Sequence, residues 1–307
     1  MREMFYHNND IQLKYYEIEN NLQPLVFIHA QGVDGKSYEK AAKKLSKHFH
    51  IFSVDCYGHG GSSHDPLGYN IKSIGNAIID FIENVISSKT WLLGHSSGGL
   101  IAAYIAAETN LCEKLILEDP PFFSCQGERR KSTFNYIDLS TICHTYNSQA
   151  QHTDFVLYYF ANQYAWNFFP AESRDKVKGK LTKMAADYRS KYPEKDLRVP
   201  FWPKAALAGF QGMNHYDPLF GETFYNDTFH CGISHEDMLK KIRCETIFMK
   251  AKTKIDSDGI LQAALSEDDV QKTAELIENC KIVRFECGHG IHIEKQKEFV
   301  RRLLDLL

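Results

Sequence analysis

The sequence predicts an α/β fold, a mostly parallel central sheet flanked by helices. Three observations carry that expectation. Short apolar runs at 25–28, 51–54 and 91–93 each end in a polar or glycine-rich turn, as strands buried on both faces do. Segments of helical periodicity separate them. A glycine-flanked serine, Gly94-His95-Ser96-Ser97-Gly98, stands where the third run gives way to a helical pattern.

Between the first two runs, Tyr38, Ala41, Ala42, Leu45 and Phe49 recur at helical spacing while lysines fill the opposite face. That is the pattern of an amphipathic helix. Ile74, Ile78, Phe81, Ile82 and Val85 repeat it before the third run, and the small-residue stretch 100–107 follows as a helix suited to close packing. Further strands are expected at 115–117, 247–249 and 282–285, and Phe299, Leu303 and Leu306 mark a last helix. The alternation breaks over 122–235, where 114 residues hold 23 of the 39 aromatics. This stretch reads as an inserted cap whose aromatics form its own core, line a pocket for an apolar substrate, or do both. Its charge-rich run 174–198 is helix-compatible and reads as a solvated face.

A formal charge of -3, with 36 Lys and Arg spread along the chain, leaves no basic stripe to neutralise phosphates, so no nucleic-acid partner is expected. Residues 1–9 hold no apolar run of about 7 to 15 residues, so a secretory signal is not expected. No stretch approaches about 18 apolar residues, so no membrane span is expected either. The eight cysteines lie scattered without a C-x-x-C pair, which fits reduced thiols and a cytoplasmic protein better than a zinc site or a disulfide framework.

The pattern G-x-S-x-G acquires its meaning from context, and here it follows an apolar strand and opens a helix. In that context the turn presents the Ser96 hydroxyl, and Gly94 and Gly98 let the strand and helix backbones approach. No lysine follows as a phosphate-binding loop requires, and the glycine spacing of a dinucleotide fingerprint is missing. A serine hydroxyl is a poor nucleophile at neutral pH, so a histidine must take its proton and an acid must stand behind that histidine. Cys287-Gly288-His289-Gly290-Ile291-His292 follows the last expected strand, and its glycines free a loop that can swing an imidazole over the sheet. His289 is therefore the expected base. His292, leading into the final helix, reads as a packing or capping residue. A metal cluster of Cys287, His289 and His292 would lack a fourth ligand nearby.

With these residues in place, the chain resembles the α/β-hydrolase superfamily over 24–120 and 245–305. His29-Ala30-Gln31-Gly32 is similar to the family's oxyanion loop, with Ala30 where glycine is commoner, and Asp55-Cys56-Tyr57-Gly58-His59-Gly60-Gly61-Ser62 resembles its D-x-x-G-x-G-x-S turn. The resemblance implies the α/β-hydrolase fold with a mainly helical cap inserted between the sixth and seventh strands. It divides the chain into a core of 1–121 and 236–307 and a cap of 122–235. It also implies that the amides of Gln31 and Ser97 hold an oxyanion, and that Asp55 and His59 are structural. For the acid, the strand at 246–250 leads into Ala251-Lys252-Thr253-Lys254-Ile255-Asp256-Ser257-Asp258-Gly259, where the family more often has glycine followed shortly by aspartate. Asp256 fits best, and Asp258 reads as starting the turn through Gly259. Asp119, in Leu117-Glu118-Asp119-Pro120-Pro121, is the alternative acid, because some members draw it from that earlier strand.

A serine at the elbow argues against the dehalogenase and epoxide hydrolase members, which place an aspartate there. The expected reaction is hydrolysis of a small ester, or similar carbonyl, with an apolar or aromatic part, through an acyl-enzyme and without metal or organic cofactor. Carbon-carbon bond hydrolysis and cofactor-free haloperoxidase chemistry share every residue named, and a ligand receptor with slow turnover is the alternative of another class.

Overall fold

The computed structural model describes residues 1–202 and 204–307. Strands β1 (Arg2–Asn8), β2 (Ile11–Ile18), β3 (Gln23–Ile28), β4 (Phe49–Val54), β5 (Thr90–His95), β6 (Cys112–Glu118), β7 (Glu245–Lys250) and β8 (Cys280–Arg284) form one sheet in the order β1-β2-β4-β3-β5-β6-β7-β8. The strands from β3 onward pair parallel, while β1 and β2 add an antiparallel edge. Helices α1 (Glu39–Leu45), α2 (Ile71–Phe81) and α3 (Ser97–Glu108) are the crossovers between β3 and β6.

Successive strand residues point to opposite faces, so each apolar run feeds two layers at once. Leu25, Phe27, Trp91 and Leu93 pack on one side with Ala41 and Leu45 of α1. Val26, Ile28 and Leu92 pack on the other with Ile74 and Ile78 of α2 and Ile101 of α3. Burial on both faces is why these strands read as continuous apolar runs and not as alternating ones.

Between β6 and β7 the chain inserts a mainly helical segment: α4 (Thr141–Asn147), α5 (Phe155–Asn162), α6 (Ala171–Lys191), α7 (Lys204–Ala208), α8 (Pro218–Tyr225) and α9 (His235–Leu239), joined by shorter turns. Helix α10 (Glu267–Leu276) connects β7 to β8, and α11 (Ile291–Glu294) and α12 (Gln296–Leu304) follow β8. Among the described residues no helix is long and apolar enough to cross a membrane.

Element ends shift by a few residues from the sequence expectation. Phe49 opens β4 instead of closing α1, Val85 lies in a π-helical turn (Ile82–Ile86) beyond α2, and Leu306 lies past α12. Hairpin β1-β2 was not expected at all. It closes through Asn9 and Asp10, with Asn9 at φ 48°, the left-handed conformation that a two-residue hairpin turn requires.

Candidate active site

Strand β5 ends at His95 and α3 begins at Ser97, leaving Ser96 alone at the turn with φ 54° and ψ -121°. A non-glycine residue in that conformation is strained, and the surrounding backbone holds it there. Ser96 N donates to Glu118 O at 3.0 Å and its own carbonyl accepts from Gly99 N at 2.9 Å. A Cβ at Gly94 would run into the Gly98 carbonyl, and one at Gly98 into the carbonyl oxygen of Ile28. Any side chain at either position would push the elbow off β3 and β5.

At the end of β6 the next strained residue appears, Asp119 at φ 45°. Its amide donates to Met249 O at 2.9 Å, and the bend turns its carboxylate toward the loop after β8. Oδ2 accepts from His289 Nδ1 at 2.8 Å, while Oδ1 accepts from Ala251 N at 3.2 Å and lies 3.4 Å from Lys250 Nζ. Burial alone would raise this carboxyl, but the hydrogen bond from His289 and the charges of His289 and Lys250 outweigh it and hold the group below its ordinary value. The His289 side chain is 40% exposed and Asp119 fully buried, so the pair has one dry end and one end open to the cavity.

Asp256, the acid preferred from sequence, is not brought to His289. Oδ1 accepts from the amides of Asp258 and Ile260 at 3.0 and 2.9 Å, and Oδ2 accepts from Gln262 Nε2 at 2.8 Å. The carboxylate is thus spent on its own turn, an Asx-type closure through Gly259. The alternative, Asp119, is the residue that meets the histidine.

Gln31 and Ser97 both line the cavity that contains Ser96 and His289. Ser97 is the first residue of α3, where backbone N–H groups lack intrahelical partners. Two buried imidazoles fasten the Gln31 loop. His29 Nε2 accepts from Cys56 N at 2.9 Å, and His59 Nε2 accepts from Gly32 N at 3.1 Å. Each ring therefore carries its proton on Nδ1, which donates to the carbonyl of Ala30 or Tyr57. Burial pushes both imidazoles below the ordinary histidine value and keeps them neutral. Asp55 accepts from the amides of Gly35 and Gly61, tying the two turns together.

The cavity measures about 700 Å³, within the usual range for small-molecule sites. The insertion between β6 and β7 supplies much of its apolar wall, including Phe134, Phe168, Trp202 and Phe210. Trp202 also packs against Phe160 and Trp166, so aromatics of the insertion pack on one another and face the cavity together.

Three residues at the site were not singled out in sequence: Lys250 beside Asp119, His95, whose Nε2 lies 3.0 Å from His289 O, and Glu118, which binds His292. The adjacent acids at 118 and 119 before Pro120-Pro121 were the available signal. Two buried groups have potential metal-ligand atoms within 4.8 Å of one another, Cys125/His230/His235 and His95/Glu118/His292. In the first, Phe123 N donates to His235 Nδ1, which leaves the His235 Nε2 proton for His230 Nδ1 and the His230 Nε2 proton for Cys125 O. That chain commits every ring nitrogen to an internal hydrogen bond. In the C-terminal loop, His289 and His292 turn Nδ1 to different acids instead of toward Cys287.

An eight-stranded, mostly parallel sheet with a helical insertion after β6 and a strained serine after β5 defines the α/β-hydrolase class. The alpha/beta hydrolase family model matches residues 25–302, and the chain belongs to that family. Pimeloyl-[acyl-carrier protein] methyl ester esterase of Vibrio cholerae is 30% identical over 118 residues, covering 38% of this chain and 44% of that protein. A putative esterase/lipase of Haemophilus influenzae is 34% identical over 116 residues, covering 38% and 40%. The matches thus span less than half the length of these curated relatives. Among solved structures, the enol-lactonase of Burkholderia xenovorans LB400 superposes with a TM-score of 0.68 over 98% of both chains at 17% identity, a likeness of fold.

Proposed function

We propose that this protein is a serine hydrolase that acts through an acyl-enzyme on a small ester with an apolar or aromatic part. Ser96 is the nucleophile, His289 the general base, Asp119 the acid behind it, and the amides of Gln31 and Ser97 the oxyanion donors. Residues 122–235 form the cap in this reading, and 1–121 with 236–307 the core.

The observation that carries the reading is the 2.8 Å hydrogen bond from His289 Nδ1 to Asp119 Oδ2, beside a cavity that His289 and Ser96 both line. With Nδ1–H held by a carboxylate, Nε2 keeps the lone pair that removes the serine proton. Ser96 Oγ then attacks the ester carbonyl, the departing alkoxide takes the proton from His289, and water repeats the sequence to release the acid. The tetrahedral intermediate places a full charge on oxygen, and each fixed donor there is worth about 100-fold to 1000-fold in turnover. The apolar cavity wall supports a substrate with an apolar part, and the names of the esterase relatives support the ester class.

A fluorophosphonate probe followed by peptide mapping tests the nucleophile and its competence together. Labelling is expected at Ser96, and Ser96→Ala should reduce turnover of a short activated ester by as much as about a million-fold. Labelling elsewhere, or unchanged turnover in the variant, overturns the proposal.

A further inference from the structure

We infer that Glu118 is a positioning residue, which through His292 holds the loop carrying His289 in register with Asp119; the inference rests on the hydrolase reading above. Consecutive acids end β6, and each takes a histidine from the same loop, Asp119 binding His289 and Glu118 binding His292. Glu118 Oε1 accepts from both the backbone amide and Nδ1 of His292, each at 2.8 Å, so it fixes the main chain as well as the ring. Oε2 accepts from Tyr38 OH at 3.2 Å, and the Tyr38 ring stacks on His292 with centroids 4.3 Å apart.

The loop needs such a hold. His289 stands between Gly288 and Gly290, which leave the backbone more freedom than any other residue would. Asp119 restrains only the imidazole. Before the ring the backbone is held by Lys252 N on Cys287 O and by Gly288 N on Glu294 Oε2; at the ring and after it, by His95, whose Nε2–H donates to His289 O at 3.0 Å, and by Glu118 through His292 N. Because His95 immediately precedes Ser96 and Glu118 O accepts from Ser96 N, the same two residues that hold the histidine loop also brace the serine turn.

Burial alone would raise the Glu118 carboxyl, but its contacts with His292 and His95 outweigh burial and hold it at about 2, so both oxygens stay free to accept the bonds that fix the loop.

The test compares full-length wild type with Glu118→Gln, which keeps the size and the acceptor oxygen but removes the charge. The measurements are kcat and KM for a short activated ester, the rate of fluorophosphonate labelling at Ser96, and the melting curve. Displacing a reacting group by about 1 Å can cost about 100-fold. Folded Glu118→Gln is therefore expected to lose about 10-fold to 100-fold in kcat and in labelling rate, with KM within about twofold. A lower melting temperature with kcat unchanged means a merely structural contact and overturns the inference. Should Glu118→Gln fail to fold, Tyr38→Phe keeps the stacked ring and removes one donor to Glu118; a drop in kcat at constant KM supports the inference, and an unchanged kcat overturns it. Failure of the hydrolase reading looks different, because wild type itself then neither turns over ester nor labels at Ser96, and the inference falls with it.

Discussion

Lys250 and Asp119 form an ion pair closed to solvent, with Nζ 3.4 Å from Oδ1 and side-chain exposures of 1% and 0%. The pair divides the carboxylate's work. One oxygen faces the lysine and the amide of Ala251, and the other faces His289. Against burial, which raises the carboxyl, the cation at the end of β7 thus adds to the larger effect of His289 in holding it below its ordinary value.

Replacing each candidate acid by asparagine separates them. Asp119→Asn should cost about 3 kcal/mol of stability, because it leaves Lys250 buried without its partner, and reduce kcat of the folded protein by about 10,000-fold, because an amide favours the wrong histidine tautomer. Asp256→Asn should leave kcat within about twofold and only slightly loosen its turn. Steady-state kinetics with one ester decides between them.

Lys250→Met should be less stable at neutral pH and lose less of its remaining stability in acid. A carboxyl held below its ordinary value contributes stability above the unfolded-state pKa of about 4 and loses it as the pH falls through the folded value. Removing the lysine removes one cause of that depression, so the folded and unfolded values draw together and the loss of stability on acidification should shrink, while the acid limb of kcat/KM moves to higher pH. Breaking one partner of a buried pair costs about 3 kcal/mol. Urea titrations across the acid range check the sign and the size.

In the cap, Asp138 shows the opposite behaviour. It is buried, and burial outweighs the hydrogen bonds from Tyr159 OH and Tyr164 N, raising its carboxyl to about 6. The folded state then binds the proton more tightly than the unfolded one, so this group should erode stability as the pH rises from about 4 to about 6. Asp138→Asn should flatten that decline, by roughly 3 kcal/mol at most. Melting temperatures over the same pH range measure it.

The central strands were legible because burial on both faces writes an uninterrupted apolar run, and the elbow was legible because no other local pattern places glycines on both sides of a serine after such a run. Hairpin β1-β2 was not, since β1 is an edge strand whose residues are half or fully exposed and show only a weak alternation. Its Asn9-Asp10 turn was the usable clue. Which aspartate meets His289 was not legible, for a reason of geometry. Asp256 and Asp119 both lie close behind a strand, and the φ of 45° that turns Asp119 toward the histidine is not encoded in any short motif. Gln262, which helps to occupy Asp256, lies six residues further along the chain.

With its carboxylate contributed by β6, the segment following β7 is released for another task. Lys254, Gln262 and Ala264 line the cavity. Under the proposed mechanism, selection can vary this stretch to suit a new substrate while Ser96, His289 and Asp119 stay where they are, which makes it a natural target for directed evolution of preference.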